Sequence, residues 1–330
     1  MKAARALIVP AILLLSQAAL GGDLYIAFWN VENLFDTVDD PAVAKDEEFT
    51  PTARKKWTAA RLEKKLNDLA RVIADMNAGR GPDVLGLCEV ENRFVIEELI
   101  KALARLDRDY AIVHKDSPSG RGIDCALIFD RKVLELGSAD FLLVHGRTRE
   151  IVEAELKVGG DSLFVFVNHW PARGGDPDGK GRVQAAKVLR KRIDALQKQD
   201  AGADILVLGD LNDHPEDPSV RKHLGARVAP DGLPSGALYN STETFVGDPK
   251  RGTFNYRGKW EVIDHVILSA GLLDDDGFSW KKGSTSIIMR DYQLRAREAS
   301  EPRPFATYRG DTYLGGPSDH MPVKCVLRRH

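Results

Sequence analysis

The apolar and polar positions of this chain alternate in three distinct ways. The run Ile205, Leu206, Val207, Leu208 is too continuous for a strand with one wet face and too short for a helix, so it predicts a strand buried on both faces. It ends in Gly209-Asp210-Leu211-Asn212-Asp213, where a glycine permits close backbone approach and a carboxylate and a carboxamide follow two apart. On an extended backbone those two side chains would point the same way and hold one water. Leu62, Leu66, Leu69, Val72, Ile73 and Met76 recur at helical spacing and predict an amphipathic helix over Trp57 to Asn77, whose basic residues read as a solvated face. Asn92 is placed to cap a second helix through Leu106, and Val183 to Leu196 reads as a third.

The remaining apolar runs are short and separated by turn residues. They predict strands at Leu24–Asn30, Asp83–Glu89, Tyr110–His114, Ile123–Asp130, Phe141–Val144, Ile151–Val158, Ser162–Asn168, Glu261–Leu268, Phe278 onward and Val323–Leu327. Many short strands broken by a few helices do not fit a strict alternation of strand and helix. Two sheets packed face to face with helices outside fit better, and the polar ends of strands from both sheets would then converge along one edge.

Composition narrows this picture. A chain of 330 residues, 43% hydrophobic and 29% charged, can bury one large core, and no linker, fixed-period repeat or low-complexity tract divides it. Residues 1–21 carry Lys2 and Arg5 before the apolar run Ala6 to Leu15 and then small residues, the pattern of a cleaved secretory signal. The apolar run is shorter than the roughly 20 residues a spanning helix needs, so no stable membrane anchor is expected. Export to the periplasm or medium is, with 22–330 as one domain. Loss of Lys2 and Arg5 leaves 45 basic against 49 acidic side chains, a net charge of −4. The three cysteines, Cys88, Cys125 and Cys325, lie in apolar runs without metal-binding spacing; a Cys88–Cys125 bridge stays open.

Six polar groups occur at strand ends: Trp29-Asn30 with Glu32, Glu89, Asn168-His169-Trp170, Asp210 with Asn212, Asp264-His265, and Ser318-Asp319-His320. In this order, across nearly the whole mature chain, they resemble the DNase I-like endonuclease/exonuclease/phosphatase superfamily. The resemblance implies an α/β fold, a four-layer sandwich of two mostly antiparallel sheets with helices outside, and divalent-metal cleavage of a phosphate ester.

The residue types suit that chemistry. Glu89, isolated at a buried strand end, and Asp319 are hard oxygen ligands for Mg²⁺ or Mn²⁺, joined by Asn30, with Glu32 a further ligand or a support. Asp210 resembles the family's base for the attacking water, and Asn212 would hold that water or the developing oxyanion. His169 and His320 would donate to phosphoryl oxygens, and Asp264 would fix the His320 tautomer, while His265 points away as a structural residue. Asn168, Arg121 and Arg173 are candidate substrate contacts, as is Arg149, with Gly120, Gly122, Gly174 and Gly175 permitting close approach. The stretch Met289 to Gly316 interleaves arginines 290, 295, 297, 303 and 309 with aromatic residues and would wall the cleft.

The mild acidity sets the substrate question. A duplex-binding nuclease usually shows a basic stripe. A monomeric nuclease acting on nucleic acid leads, a hydrolase of a lipid or small phosphoester, sphingomyelinase-like or inositol-phosphatase-like, comes next, and a non-enzymatic binding protein on the same fold is third.

Overall fold

A computed structural model of the chain describes residues 22–43, 45–146, 148–230, 233–234, 236–296 and 302–330. The signal sequence expected at 1–21, and Arg297 of the expected cleft wall, lie outside the described residues. Strands β1 (Leu24–Leu34), β2 (Val84–Val90), β3 (Tyr110–His114) and β4 (Asp124–Asp130) belong to one sheet. Strands β5 (Glu135–Leu142), β6 (Ile151–Val158), β7 (Asp161–His169) and β8 (Asp204–Asp210) belong to the other. In the first sheet the order runs Phe278–Trp280, Val323–Arg329, β1, β2, β4, β3; in the second, β5, β6, β7, β8, Asp264–Ser269, Leu238–Asn240, Ala226–Arg227. β1–β2 and β7–β8 pair parallel, and most other neighbours pair antiparallel.

Strand alternation sorts the apolar residues into layers. Ile26, Phe28 and Val84 of the first sheet meet Val165, Leu206, Leu208 and Val266 of the second in the central core. Ala27, Trp29 and Leu85 face the other way, onto α1 (Ala59–Ala74) and α2 (Arg93–Ala102). Ile205 and Val207 likewise face α3 (Lys180–Gln199). The four-layer α/β sandwich of two mostly antiparallel sheets is therefore the observed architecture. β8 is buried along its whole length, as its unbroken apolar run requires.

The helix starts follow local chemistry. Thr58 accepts from the Arg61 N–H at the start of α1, and Asn92 accepts from the Val95 N–H at the start of α2. β5 differs from the Phe141–Val144 expected, starting at Glu135, because it is an exposed edge strand held by backbone pairing to β6 rather than by apolar residues. Cys88 and Cys125 are register partners across β2 and β4, yet they and Cys325 are free, buried thiols, so the open question of a bridge resolves against one.

Candidate active site

Register builds the site. In the second sheet His169 of β7 lies beside Asp210 of β8, and Asp210 lies opposite Asp264 on the next strand, so these three side chains form a row. Gly209 must be a glycine here, because a Cβ would come within 2.5 Å of the Asn168 carbonyl oxygen on β7. In the first sheet, β1 shifts register between Asn30 and Leu34 and β2 between Cys88 and Val90. Glu32, Asn33 and Glu89 adopt left-handed backbone angles, with φ of 48°, 55° and 62°. Each such residue costs on the order of 1–3 kcal/mol, and irregularities of this kind re-aim a side chain out of the strand's regular alternation.

The second sheet's row meets the first sheet at Asp210. Its Oδ2 accepts from the Asn30 side-chain amide at 3.0 Å and its Oδ1 accepts from the Asn212 backbone N–H at 2.9 Å. Burial, then the nearby Asp264, push its pKa up to about 7, against the lowering effect of His320, Asn30 and Asn212. His320 Nδ1 and Asp264 Oδ2 are 2.8 Å apart, and His320 Nε2 stands 3.8 Å from Asp210 Oδ2. Burial alone would lower the His320 pKa, but Asp264 and Asp210 outweigh it and raise it well above its ordinary value, favouring the charged form. His169 is the opposite case: burial, with Arg149, Arg121 and His320 nearby, keeps it neutral. Its Nε2 lies 3.7 Å from Asp210 and 3.8 Å from Glu89.

Glu89 Oε2 accepts from the Asn33 N–H at 2.9 Å, leaving Oε1 toward His169 and Arg121. Asp319, adjacent to His320, is half exposed, and its pKa is raised by burial and by Glu89. Two carboxylates close together at a cleft suit a divalent cation.

Several expected roles change. Asn30, expected among the metal ligands, accepts from the Glu32 N–H through its side-chain oxygen Oδ1 and donates its side-chain amide to Asp210, so in this structure it aims that carboxylate. Asn212 has φ +52° and is not on extended backbone, so it reaches Asp210 through its backbone N–H, while its side-chain amide donates to the Trp170 carbonyl. Asn168 is fully buried, bonded to Trp170 Nε1 and the Leu208 carbonyl, because adjacent strand positions face opposite sides and His169 takes the cleft. It is not a substrate contact. Arg173 donates to the Asn212 carbonyl and pairs with Glu261 at 3.1 Å, with Asp213 at 3.8 Å, so acidic neighbours rather than phosphate take its charge. Arg121 remains on the rim, 45% exposed, bonded to Asn33 and 3.8 Å from Glu89. Arg149 turns onto the His169 and Trp170 carbonyls. With Arg121, His169 and Trp170 it lines a cavity of about 240 Å³. His265 is structural, held by Asn240 and the Asp213 carbonyl.

Three aromatics of the Met289–Gly316 stretch have partners on other elements. Tyr308 and Tyr313 pack with Phe49 and Trp57, and Tyr292 stacks on Arg71. Both Glu32 carboxylate oxygens accept from the backbone of this stretch, at Thr307 and Tyr308, so Glu32 ties the stretch to β1.

Lys65 was missed. Its ammonium is buried and donates to the Glu32 and Pro317 carbonyls at 3.0 and 2.6 Å and to Thr307 Oγ1. The available signal is its position, within the Leu62–Leu66–Leu69 apolar stripe of α1 rather than on the polar face. Ser318 Oγ to the Asn30 carbonyl and Trp29 Nε1 to the His320 carbonyl complete the attachment of Asp319-His320 to β1.

A row of acid–base groups at the joined ends of two sheets, beside Glu89 and Asp319, has the residue types that phosphoester hydrolysis needs. The chain belongs to the Endonuclease/Exonuclease/phosphatase family, whose sequence description matches residues 25–329. No curated protein matches the chain. Among solved structures it is similar to an endonuclease/exonuclease/phosphatase family protein from Bacteroides thetaiotaomicron, at 18% identity over 94% of this chain and 99% of that one, with a TM-score of 0.59. It is also similar to the mannosyl-6-phosphatase Bt3783 of Bacteroides thetaiotaomicron VPI-5482, at 20% identity over 92% and 99%, TM-score 0.57. A third is D. rerio TDP2 complexed with single strand DNA product, at 16% identity over 92% and 98%, TM-score 0.57. At these identities the structural likeness speaks for the fold.

Proposed function

We propose that the protein is an exported, divalent-metal-dependent phosphodiesterase that hydrolyses nucleic acid. The observation that carries this reading is the hydrogen-bonded array Asn30–Asp210 and Asp264–His320, closed by the 3.8 Å approach of His320 to Asp210. Glu89 and Asp319 would hold Mg²⁺ or Mn²⁺, which when bound neutralises charge on the phosphoryl oxygens. Asp210, with both oxygens oriented, takes the proton of the attacking water, and a carboxylate poised near 7 is suited to that transfer. The His320 imidazolium, locked by Asp264, donates from Nε2 to the phosphoryl group, and neutral His169 supplies a second donor or acceptor beside it. Arg121 on the rim meets the phosphate backbone of the substrate. A structural relative that carries a single-strand DNA product supports the nucleic-acid reading.

A small phosphoester is the second reading, favoured by the cavity of about 240 Å³ beside His169, with Arg121 and Arg149 in its wall, and by the mannosyl-6-phosphatase on the same fold. Among the described residues no helix is long and apolar enough to cross a membrane. The deciding experiment is a panel of plasmid, single-stranded DNA, a sugar phosphate and phospholipid vesicles, each with EDTA, Mg²⁺ or Mn²⁺. Metal-restored cleavage of DNA supports the nuclease. Turnover of a sugar phosphate or phospholipid with none of DNA moves the substrate and keeps the chemistry, whereas undiminished turnover in EDTA removes Glu89 and Asp319 from the metal role.

A further inference from the structure

A second convergence of donor atoms lies outside this array, where the edge strand β3 ends and β4 begins. His114 closes β3, Asp124 opens β4, and Asp116 stands in the loop between them. One ligand atom from each lies within 4.8 Å of the others. His114 Nε2 is 3.5 Å from Asp124 Oδ2 and 3.9 Å from Asp116 Oδ1. Both the imidazole and the Asp124 carboxylate are almost wholly inside, at 3% and 4% exposure, while Asp116 is 80% exposed.

Two features make this more than acidic residues near a histidine. First, His114 Nε2 is buried and has no hydrogen-bond partner. A buried polar atom without a partner is destabilising, so something is expected to satisfy it. Second, the Asp124 carboxylate is already oriented: its Oδ1 accepts both the N–H and the hydroxyl of Ser117, which leaves Oδ2 turned to the imidazole. At 3.5 and 3.9 Å, His114 Nε2 stands too far from either carboxylate for a close direct hydrogen bond, and a cation seated between the three groups would engage all of them at once. Ligand atoms roughly 2.0–2.2 Å from a shared tetrahedral ion stand about 3.4 Å apart, close to the 3.5 Å seen between His114 and Asp124.

We propose that His114, Asp116 and Asp124 bind a divalent transition-metal ion of the zinc class, separate from the Glu89–Asp319 pair. An imidazole nitrogen with two carboxylates suits Zn²⁺ or Mn²⁺, whereas Mg²⁺ prefers an all-oxygen shell. The exposed Asp116 leaves an entry path and room for water as a further ligand. The ion would join the two ends of the 115–123 loop, which carries Arg121 to Asn33 and Glu89, so its role is to brace that loop.

The test uses the tag-free mature protein stripped with chelator and titrated calorimetrically with Zn²⁺ in millimolar Mg²⁺. The wild type should take up one Zn²⁺ that Mg²⁺ does not displace, and Zn²⁺ should raise its Tm. Asp116→Asn should weaken that binding at least tenfold, His114→Gln should abolish it, and Glu89→Gln should leave it unchanged. Because Asp116 is exposed, its variant should fold even if the His114 variant does not. Wild-type Zn²⁺ binding by Asp116→Asn, no uptake by the wild type, or loss of the ion only in Glu89→Gln would overturn the proposal. A Co²⁺-loaded sample supplies an independent readout: visible absorption of histidine-ligated cobalt in the wild type, absent from His114→Gln. The same spectrum in both would also overturn it.

Discussion

Asn30, on β1 of one sheet, donates its side-chain amide to Asp210 Oδ2, at the end of β8 in the other, over 3.0 Å. The bond bridges the sandwich at the level where both strands end, and it joins residues 180 positions apart in the chain. With the Asn212 N–H on Oδ1, it fixes both oxygens of the carboxylate.

That bond stabilises the ionised form of Asp210, so its loss should raise the pKa from about 7. In Asn30→Ala the acid limb of the kcat/KM profile should move to higher pH, and activity at pH 7 should fall because less of the base is deprotonated. A pH–rate profile of wild type and variant checks this. An acid limb that stays in place would show that Asp210 does not set it.

Asp264 is the largest influence raising the His320 pKa against burial. Asp264→Asn keeps the volume but removes that charge. The imidazole should then lose its proton at lower pH than in the wild type, and kcat should fall about tenfold to a hundredfold while KM changes little. Histidine titration by NMR follows the first effect directly. An unchanged His320 titration would place its charge under other control.

Lys65 ties the segment before Asp319-His320 to β1. Lys65→Met fills similar volume but leaves the Glu32 and Pro317 carbonyls and Thr307 Oγ1 without that donor, so unfolding free energy should fall by about 2–4 kcal/mol. Urea unfolding measures it. A variant as stable as the wild type would reduce Lys65 to a passenger of the apolar stripe.

Where the sequence was legible, burial pattern and chemistry coincided. The unbroken run Ile205–Leu208 could only be a strand wet on neither face, and its polar terminus marked Asp210. The Asp264–His320 pairing came from resemblance to a known order of motifs, since nothing local links residues 56 apart. What stayed hidden depended on long-range partners or on backbone twist. Arg173 reads as a loop cation until Glu261, 88 residues on, takes its charge. Glu89 and Asn212 have positive φ without being glycine, so no turn residue announces the irregularity. Lys65 was hidden by its type, because a lysine in a helix reads as solvent-facing and only its place in the stripe says otherwise.

The most direct measurement of the central claim is turnover by Asp210→Asn on the most active substrate of the panel, with metal present, alongside its melting temperature. The side chain keeps its volume and loses its basicity. The variant's kcat should fall by at least about 10². Its Tm should equal or exceed that of the wild type, because a carboxylate held at about 7 by burial is uncomfortable when ionised. Turnover within a few fold of wild type, or a fold that collapses, would contradict the assignment of Asp210 as the base.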